Sequence, residues 1–271
     1  MLVHQSQLMD KARQEGYALG SFDVLSVEYA LGVLDAAEQA GSPVVLAITN
    51  GHFPNVDFDV LAPAVVAAAR RATVPVVVHL DHATSLGLVA RALKAGFNSV
   101  MYDGAGEPWE QHLAEIRVVV AMAHGVGATV EAALSEQSRD ATANPTGGWQ
   151  LPSRELAEEF VSATGVDVLA IGEGDSTFDV DRIAALTEFD GVFAALHGGS
   201  QLSDADLATL IKARVVKCSV FNRIAKGGLK AAKDYIDSPE ANALGLGNAY
   251  RAGIAEGVSA QIKRFGSGNR G

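Results

Sequence analysis

Residues 75–82 read Pro75-Val76-Val77-Val78-His79-Leu80-Asp81-His82. The apolar part is strand-length and does not alternate with polar residues, the mark of a strand buried on both faces. Leu86–Ala95 follows with helical spacing and is stopped by Gly96. A buried strand trailed by an amphipathic helix is the repeating unit of a parallel sheet.

The unit recurs on both sides of this stretch. Upstream, strands are predicted over Tyr17–Phe22 and Pro43–Ile48, with helices over Val27–Ala40 and Asp59–Ala72. Downstream, Ser99–Asp103, Ala128–Leu134, Val166–Ile171, Gly191–Leu196 and Val215–Val220 read as strands. Their helices are Trp109–Ala123, a stretch capped by Ser153 and running through Ala163, Val180–Thr187, Asp204–Ala213, and helical material to the C-terminus. Eight such units close more readily than they lie open, so the expected fold is a (β/α)8 TIM barrel, one domain over residues 1–271. Ser135–Gln150, rich in Ser, Asn, Thr and Gly, reads as a long mobile loop.

Composition narrows the function. Hydrophobic residues make up 48% of the 271, enough for a large core. The formal net charge of −11 gives no general attraction for nucleic acid or an anionic membrane. Cys218 is the one cysteine, so no intrachain disulfide forms and a reducing cytoplasm is the expected compartment. The first residues lack the pattern of a signal peptide. No apolar run approaches the roughly 20 residues that span a bilayer.

Polar residues collect where the strands end: Asp81 and His82, Asp103, Glu131 within ATVEAAL, His197-Gly198-Gly199-Ser200, then Ser219, Asn222 and Arg223. In a barrel these ends share one rim, where active sites of this fold sit. Asp81-His82 reads either as a helix cap beside a core histidine or as a carboxylate base beside a metal-ligating imidazole. His79 points to the same side as Asp81 and reads as structural. Paired glycines between a strand and a helix let backbone N–H groups approach an anion, which favours phosphate binding over a plain turn. Glu131 needs a partner inside the barrel, whether a metal, a base, a hydrogen-bond donor, or a salt bridge with Lys217 or another barrel cation. Lys217 is itself a candidate Schiff-base nucleophile. His52 follows the second strand, within reach of the rim; His112 and His124 read as solvated, and Trp109 and Trp149 as lids or packing.

These residues resemble the class II, metal-dependent fructose- and tagatose-bisphosphate aldolases. The resemblance spans nearly the whole chain and is carried by GYALGSFDV (16–24), SPVVLAI (42–48), VPVVVHLDHATS (74–85), KAGFNSVMYDG (94–104), ATVEAAL (128–134), TGVDVLAIG (164–172), LHGGS (196–200) and VVKCSV (215–220). It implies a divalent metal, most often zinc, that polarises the ketone of a dihydroxyacetone-phosphate unit. It implies Asp81 as the proton-shuttling carboxylate, and His82 and His197 as metal ligands. Gly198, Gly199, Ser200, Ser219 and Asn222 would hold phosphate, and Asp23 and Thr49 would lie against substrate. A homodimer or homotetramer is implied as well.

The chain departs from the family where a third histidine is expected after the sixth strand; Asp175 or Thr177 stands there, and Asp175 is the candidate ligand, with Glu131 a further one. The second glutamate of the family's VEAELG is Ala133. The eighth-strand motif reads Ser219-Val220-Phe221-Asn222 and is followed by Arg223, a candidate partner for an additional anion. The expected activity is a class II aldolase-like carbon–carbon lyase acting on an atypical phosphorylated ketose. Two other readings stand beside it: a metal-free lyase using Lys217, and a sugar-phosphate-binding homologue without chemistry.

Overall fold

The structure is a computed structural model and describes residues 1–104, 107–134, 151–172, 179–187 and 191–271. Strands β1 (Leu19–Asp23), β2 (Val44–Thr49), β3 (Val76–Ala83), β4 (Ser99–Tyr102), β5 (Thr129–Ala133), β6 (Val168–Ile171), β7 (Phe193–Leu196) and β8 (Val215–Val220) pair in parallel with their sequence neighbours, and β8 pairs with β1. The eight strands form a closed barrel, as the alternation of segments predicts. The loop expected at 135–150, Trp149 and the stretch holding Asp175 and Thr177 lie outside the described residues.

Helices α1 (Gln5–Glu15), α2 (Val27–Ala40), α3 (Phe58–Arg71), α4 (Leu86–Ala95), α5 (Trp109–His124), α6 (Arg154–Thr164), α7 (Val180–Leu186), α8 (Asp204–Lys212), α9 (Asn222–Ile236) and α10 (Ala243–Phe265) accompany the strands. Their starts are set by side chains that satisfy orphan N–H groups: Ser85 accepts from Leu88, Ser153 from Leu156 and Ser203 from Asp206. Boundaries fall within one or two residues of the sequence pattern for most elements.

Helix α1 is the element the pattern misses. Its sequence, QSQLMDKARQE, is mostly polar and its apolar residues are few. Leu8, Met9 and Ala12 nevertheless pack against Leu19, Val45, Val77, Val168 and Val216 from the barrel interior. Gln5 accepts a hydrogen bond from Thr129 Oγ1 at 2.7 Å. α1 thus plugs the amino-terminal end of the barrel, and the inward side chains open toward the other end. Among the described residues no helix is long and apolar enough to cross a membrane.

His112 corrects the sequence reading. It is fully buried on α5, its ring 5.0 Å from that of Phe160, with no hydrogen-bond partner for either ring nitrogen among the described residues. Burial pushes its imidazole down to about 4. The unfolded chain takes up a proton at His112 below about pH 6.5, which the folded chain refuses until about pH 4, so stability held at neutral pH is lost as pH falls through that window. The loss at pH 4 is roughly 3 kcal/mol. Urea unfolding at pH 7 and pH 4.5 should show His112→Leu flattening this decline; parallel declines in both proteins would refute it. His124 is partly exposed and pairs with Asp167 at 2.8 Å.

Candidate active site

The carboxyl ends of the strands surround a cavity of about 900 Å³. Asp23, Thr49, Asp81 and His82 reach it from β1, β2 and β3. From the ends of β7 and β8 and the residues beyond come His197, Gly198, Ser200, Ser219, Asn222 and Arg223. Gly199 sits in the same turn as Gly198 and Ser200.

Asp81 and His82 are neighbours in β3, and a regular pleat would send them to opposite faces. The β3–β4 register shifts between Leu80 and Ala83, and His82 adopts a left-handed φ of 52°. Both side chains then line the cavity. Such backbone persists where neighbours hold it. Here the hold is Asp103, just past β4, whose Oδ2 lies 2.8 Å from His82 Nδ1. Burial alone would lower the His82 imidazole, but the Asp103 hydrogen bond and the charges of Asp81 and Asp103 raise it to about 9.

Asp81 is 4% exposed. Burial alone would raise its carboxyl, yet the charge of His82 holds it below the ordinary range. Its Oδ1 is buried without a hydrogen-bond partner among the described residues, and His79 Nε2 stands off at 3.5 Å. Lys217 explains that separation. Its ammonium only donates, so His79 Nε2, 3.2 Å from Nζ, accepts, and Nδ1–H donates to Ser99 Oγ at 2.7 Å. His79 is a neutral imidazole, kept so by burial, and it gives Asp81 no proton.

Glu131 lies beneath His197. Its Oε2 accepts from Lys217 at 2.6 Å and its Oε1 from His197 Nε2–H at 2.7 Å. Burial would raise this carboxyl; Lys217 above all, and then His197, hold it well below its ordinary range. With both oxygens engaged, Glu131 stands behind a histidine rather than in the ligand position the sequence allowed it. Lys217 is fully buried and does not line the cavity, so its nitrogen is not placed for a Schiff base.

Asp81, His82 and His197 each offer a ligand atom, and these atoms lie within 4.8 Å of one another. Each imidazole rests its other nitrogen on a carboxylate, Asp103 or Glu131, the bracing that orients metal-bound histidines. An N/O donor set of this kind, with a buried carboxylate oxygen left unpartnered, fits a divalent ion such as zinc.

Backbone shapes the rest of the mouth. Gly198 has φ 77°, which turns the chain sharply into the short helical turn Gly199–Gln201. A Cβ on Gly172, at the end of β6, would sit 3.3 Å from that of His197, so glycine there lets the histidine approach. Ser219 Oγ is buried without a hydrogen-bond partner among the described residues. Two further residues line the cavity that the sequence left in the background: His52, whose ring lies 4.8 Å from that of Phe221, and Lys226, one turn after Arg223 on α9. His52 carried only the weak signal of a polar residue after a strand. Lys226 looked like any helix-surface lysine.

The family description "Fructose-bisphosphate aldolase class-II" matches residues 3–270. The Escherichia coli protein YdjI is 30% identical over 265 residues, covering 94% of each chain. A fructose-bisphosphate aldolase of Thermus caldophilus is 37% identical over 212 residues, 74% of this chain and 69% of its own. The crystal structure of the YdjI aldolase superposes with a TM-score of 0.88 at 29% identity, over 100% of this chain and 99% of that one. The chain belongs to the class II fructose-bisphosphate aldolase family and is an aldolase. The family is generally dependent on a divalent metal and acts on phosphorylated sugars.

Proposed function

We propose that this aldolase is metal-dependent, with His82 and His197 as ligands and Asp81 as the carboxylate that moves the proton when the carbon–carbon bond breaks or forms. The observation that carries the reading is the convergence of Asp81, His82 and His197 within 4.8 Å at the mouth of the barrel. When bound, a divalent ion, zinc by its donor set, supplies Lewis-acid polarisation of the substrate ketone. Asp175 is the sequence's candidate for a further ligand.

The chain's own residues divide the remaining work. Asp81 is ionised and its Oδ1 receives no hydrogen bond from the described residues, so it accepts the carbinol proton in cleavage and returns it in condensation. Gly198, Gly199 and Ser200 offer backbone N–H groups to phosphate. Asn222 opens the 15-residue helix α9, whose amino-terminal dipole favours the same anion, and Ser219 supplies a hydroxyl. Thr49 and Asp23 face substrate from the opposite strands. Burial and the charge of Asp81 raise the Asp23 carboxyl well above the ordinary range, which suits it to donate a hydrogen bond to a sugar oxygen.

The substrate we infer is a phosphorylated ketose other than fructose or tagatose bisphosphate. Phe221 with the His52 ring tilted against it narrows one wall, and Arg223 and Lys226 place two cations at the rim. We infer further that the enzyme is a cytoplasmic homo-oligomer.

Release of dihydroxyacetone phosphate from a panel of ketose 1-phosphates tests the reading. Dialysis against chelator should cut the rate at least 100-fold, and zinc should restore it. Turnover indifferent to chelator, by protein shown to be free of metal, would rule the mechanism out.

A further inference from the structure

The barrel interior holds a line of buried polar groups that ends on the ligand candidate His197. It runs from Ser99 Oγ to His79 Nδ1, from His79 Nε2 to Lys217 Nζ, from Lys217 to Glu131 Oε2, and from Glu131 Oε1 to His197 Nε2. The distances are 2.7, 3.2, 2.6 and 2.7 Å. His79, Ser99, Glu131 and Lys217 are each fully buried. The line reaches the cavity at one end only, at His197.

Hydrogen-bond polarity fixes the direction of every link. Lysine donates and has no acceptor, and an ionised carboxylate accepts and has no donor. Lys217 therefore gives one proton to Glu131 and one to His79. Glu131, its second oxygen unencumbered, takes the proton of His197 Nε2. That leaves Nδ1 as the lone-pair nitrogen of His197. A histidine whose acceptor is lost gains two tautomers and a rotatable ring, and both reduce the fraction of molecules ready to ligate.

We propose that Lys217 and Glu131 together are the positioning residues of the metal centre, a buried ion pair that locks His197 in the tautomer and orientation that present Nδ1 to Asp81 and His82. His79 and Ser99 anchor the far side of Lys217, so the ammonium cannot follow substrate into the cavity. The inference rests on the metal-dependent reading above. It also gives Lys217 a role that requires no covalent step.

The test uses purified full-length protein and zinc affinity measured by competition with a chromophoric chelator, alongside the visible spectrum of the cobalt-substituted form. In the double variant Glu131→Leu/Lys217→Met no charge is left unpaired, so thermal unfolding should stay close to wild type. Its zinc affinity should nonetheless fall about 10- to 100-fold, as expected for loss of a group that orients a ligand. The cobalt spectrum should shift, and kcat at saturating zinc should fall while KM for the ketose phosphate holds. Glu131→Gln/Lys217→Met, which restores an acceptor for His197 Nε2–H, should recover most of the affinity. Wild-type zinc affinity in Glu131→Leu/Lys217→Met would overturn the proposal. Should that variant not fold, the isosteric Glu131→Gln decides: with Lys217 still donating, the amide oxygen faces the lysine and its NH2 faces His197, so zinc affinity should fall, and unchanged affinity there overturns the proposal equally. His197→Ala separates the two readings. If it too binds zinc as wild type does, the metal site itself is misassigned; if it alone loses zinc, only the brace is wrong.

Discussion

Asp81→Asn should lower the rate of carbon–carbon cleavage by about 10²–10⁴-fold, the range seen when a positioned general base is removed. That is about 3–5 kcal/mol of transition-state stabilisation at 1.36 kcal/mol per tenfold. The size follows from the surroundings of Asp81. The carboxylate is 4% exposed, its Oδ1 has no hydrogen-bond partner among the described residues, and the charge of His82 keeps it ionised. An amide of the same shape fills the same space but accepts no proton. The fold should survive, because no hydrogen bond that links strands or helices ends on this side chain. Metal content must be measured with the rate, since Asp81 shares its sphere with His82 and His197. Loss of rate beyond loss of metal is the expected signature, with KM changed far less than kcat. A variant that keeps its metal and cleaves within a few-fold of wild type would remove Asp81 from the chemistry.

The barrel was legible because buried parallel strands leave an unambiguous trace. Each is a short apolar run, and each is followed by helical spacing with a glycine or serine at its edges. Helix α1 left no such trace, because Leu8, Met9 and Ala12 cover the barrel floor from a helix otherwise polar. His112 failed for a related reason. Its burial depends on Phe160 of α6, some 50 residues away, and nothing local announces that contact.

At the site, the residue types were legible and their arrangement was not. Asp81, His82 and His197 stood out at strand ends, but the left-handed turn at His82 that aims both Asp81 and His82 into one cavity is a matter of register with β4. Glu131 was visible as a carboxylate in need of a partner. The sequence left open whether that partner was a metal or Lys217; the answer was a lysine from β8 below and a histidine from β7 above, brought together by barrel closure. His52 reached the cavity by a short helical turn after β2 that has no sequence signature of its own.

The same closure makes Lys217→Met the most destabilising single change expected in the barrel interior. The substitution matches volume well and keeps an unbranched apolar stem, so cavity effects are small. It removes, however, the ammonium paired with Glu131 and leaves the Glu131 carboxylate fully buried with, among the described residues, the His197 N–H alone to accept from. Breaking a buried pair in this way costs about 3–5 kcal/mol, because the remaining charge keeps its desolvation penalty and loses its compensation. Against a total stability of about 5–15 kcal/mol that is a large share, and the melting temperature should fall on the order of 10 °C. Replacing Glu131 by Leu in the same molecule should return most of the loss, since the apolar pair no longer buries an unmatched charge. Denaturant unfolding of the two single variants and the double variant gives the coupling energy directly. The cycle discriminates between two views of this lysine. A lysine held for covalent chemistry would be expendable for stability, and Lys217→Met would melt within a degree or two of wild type. A lysine held as the counter-ion of Glu131 makes the single variant fragile and the double variant sound, which is the outcome required by an ammonium that is wholly buried and bonded to Glu131 and His79.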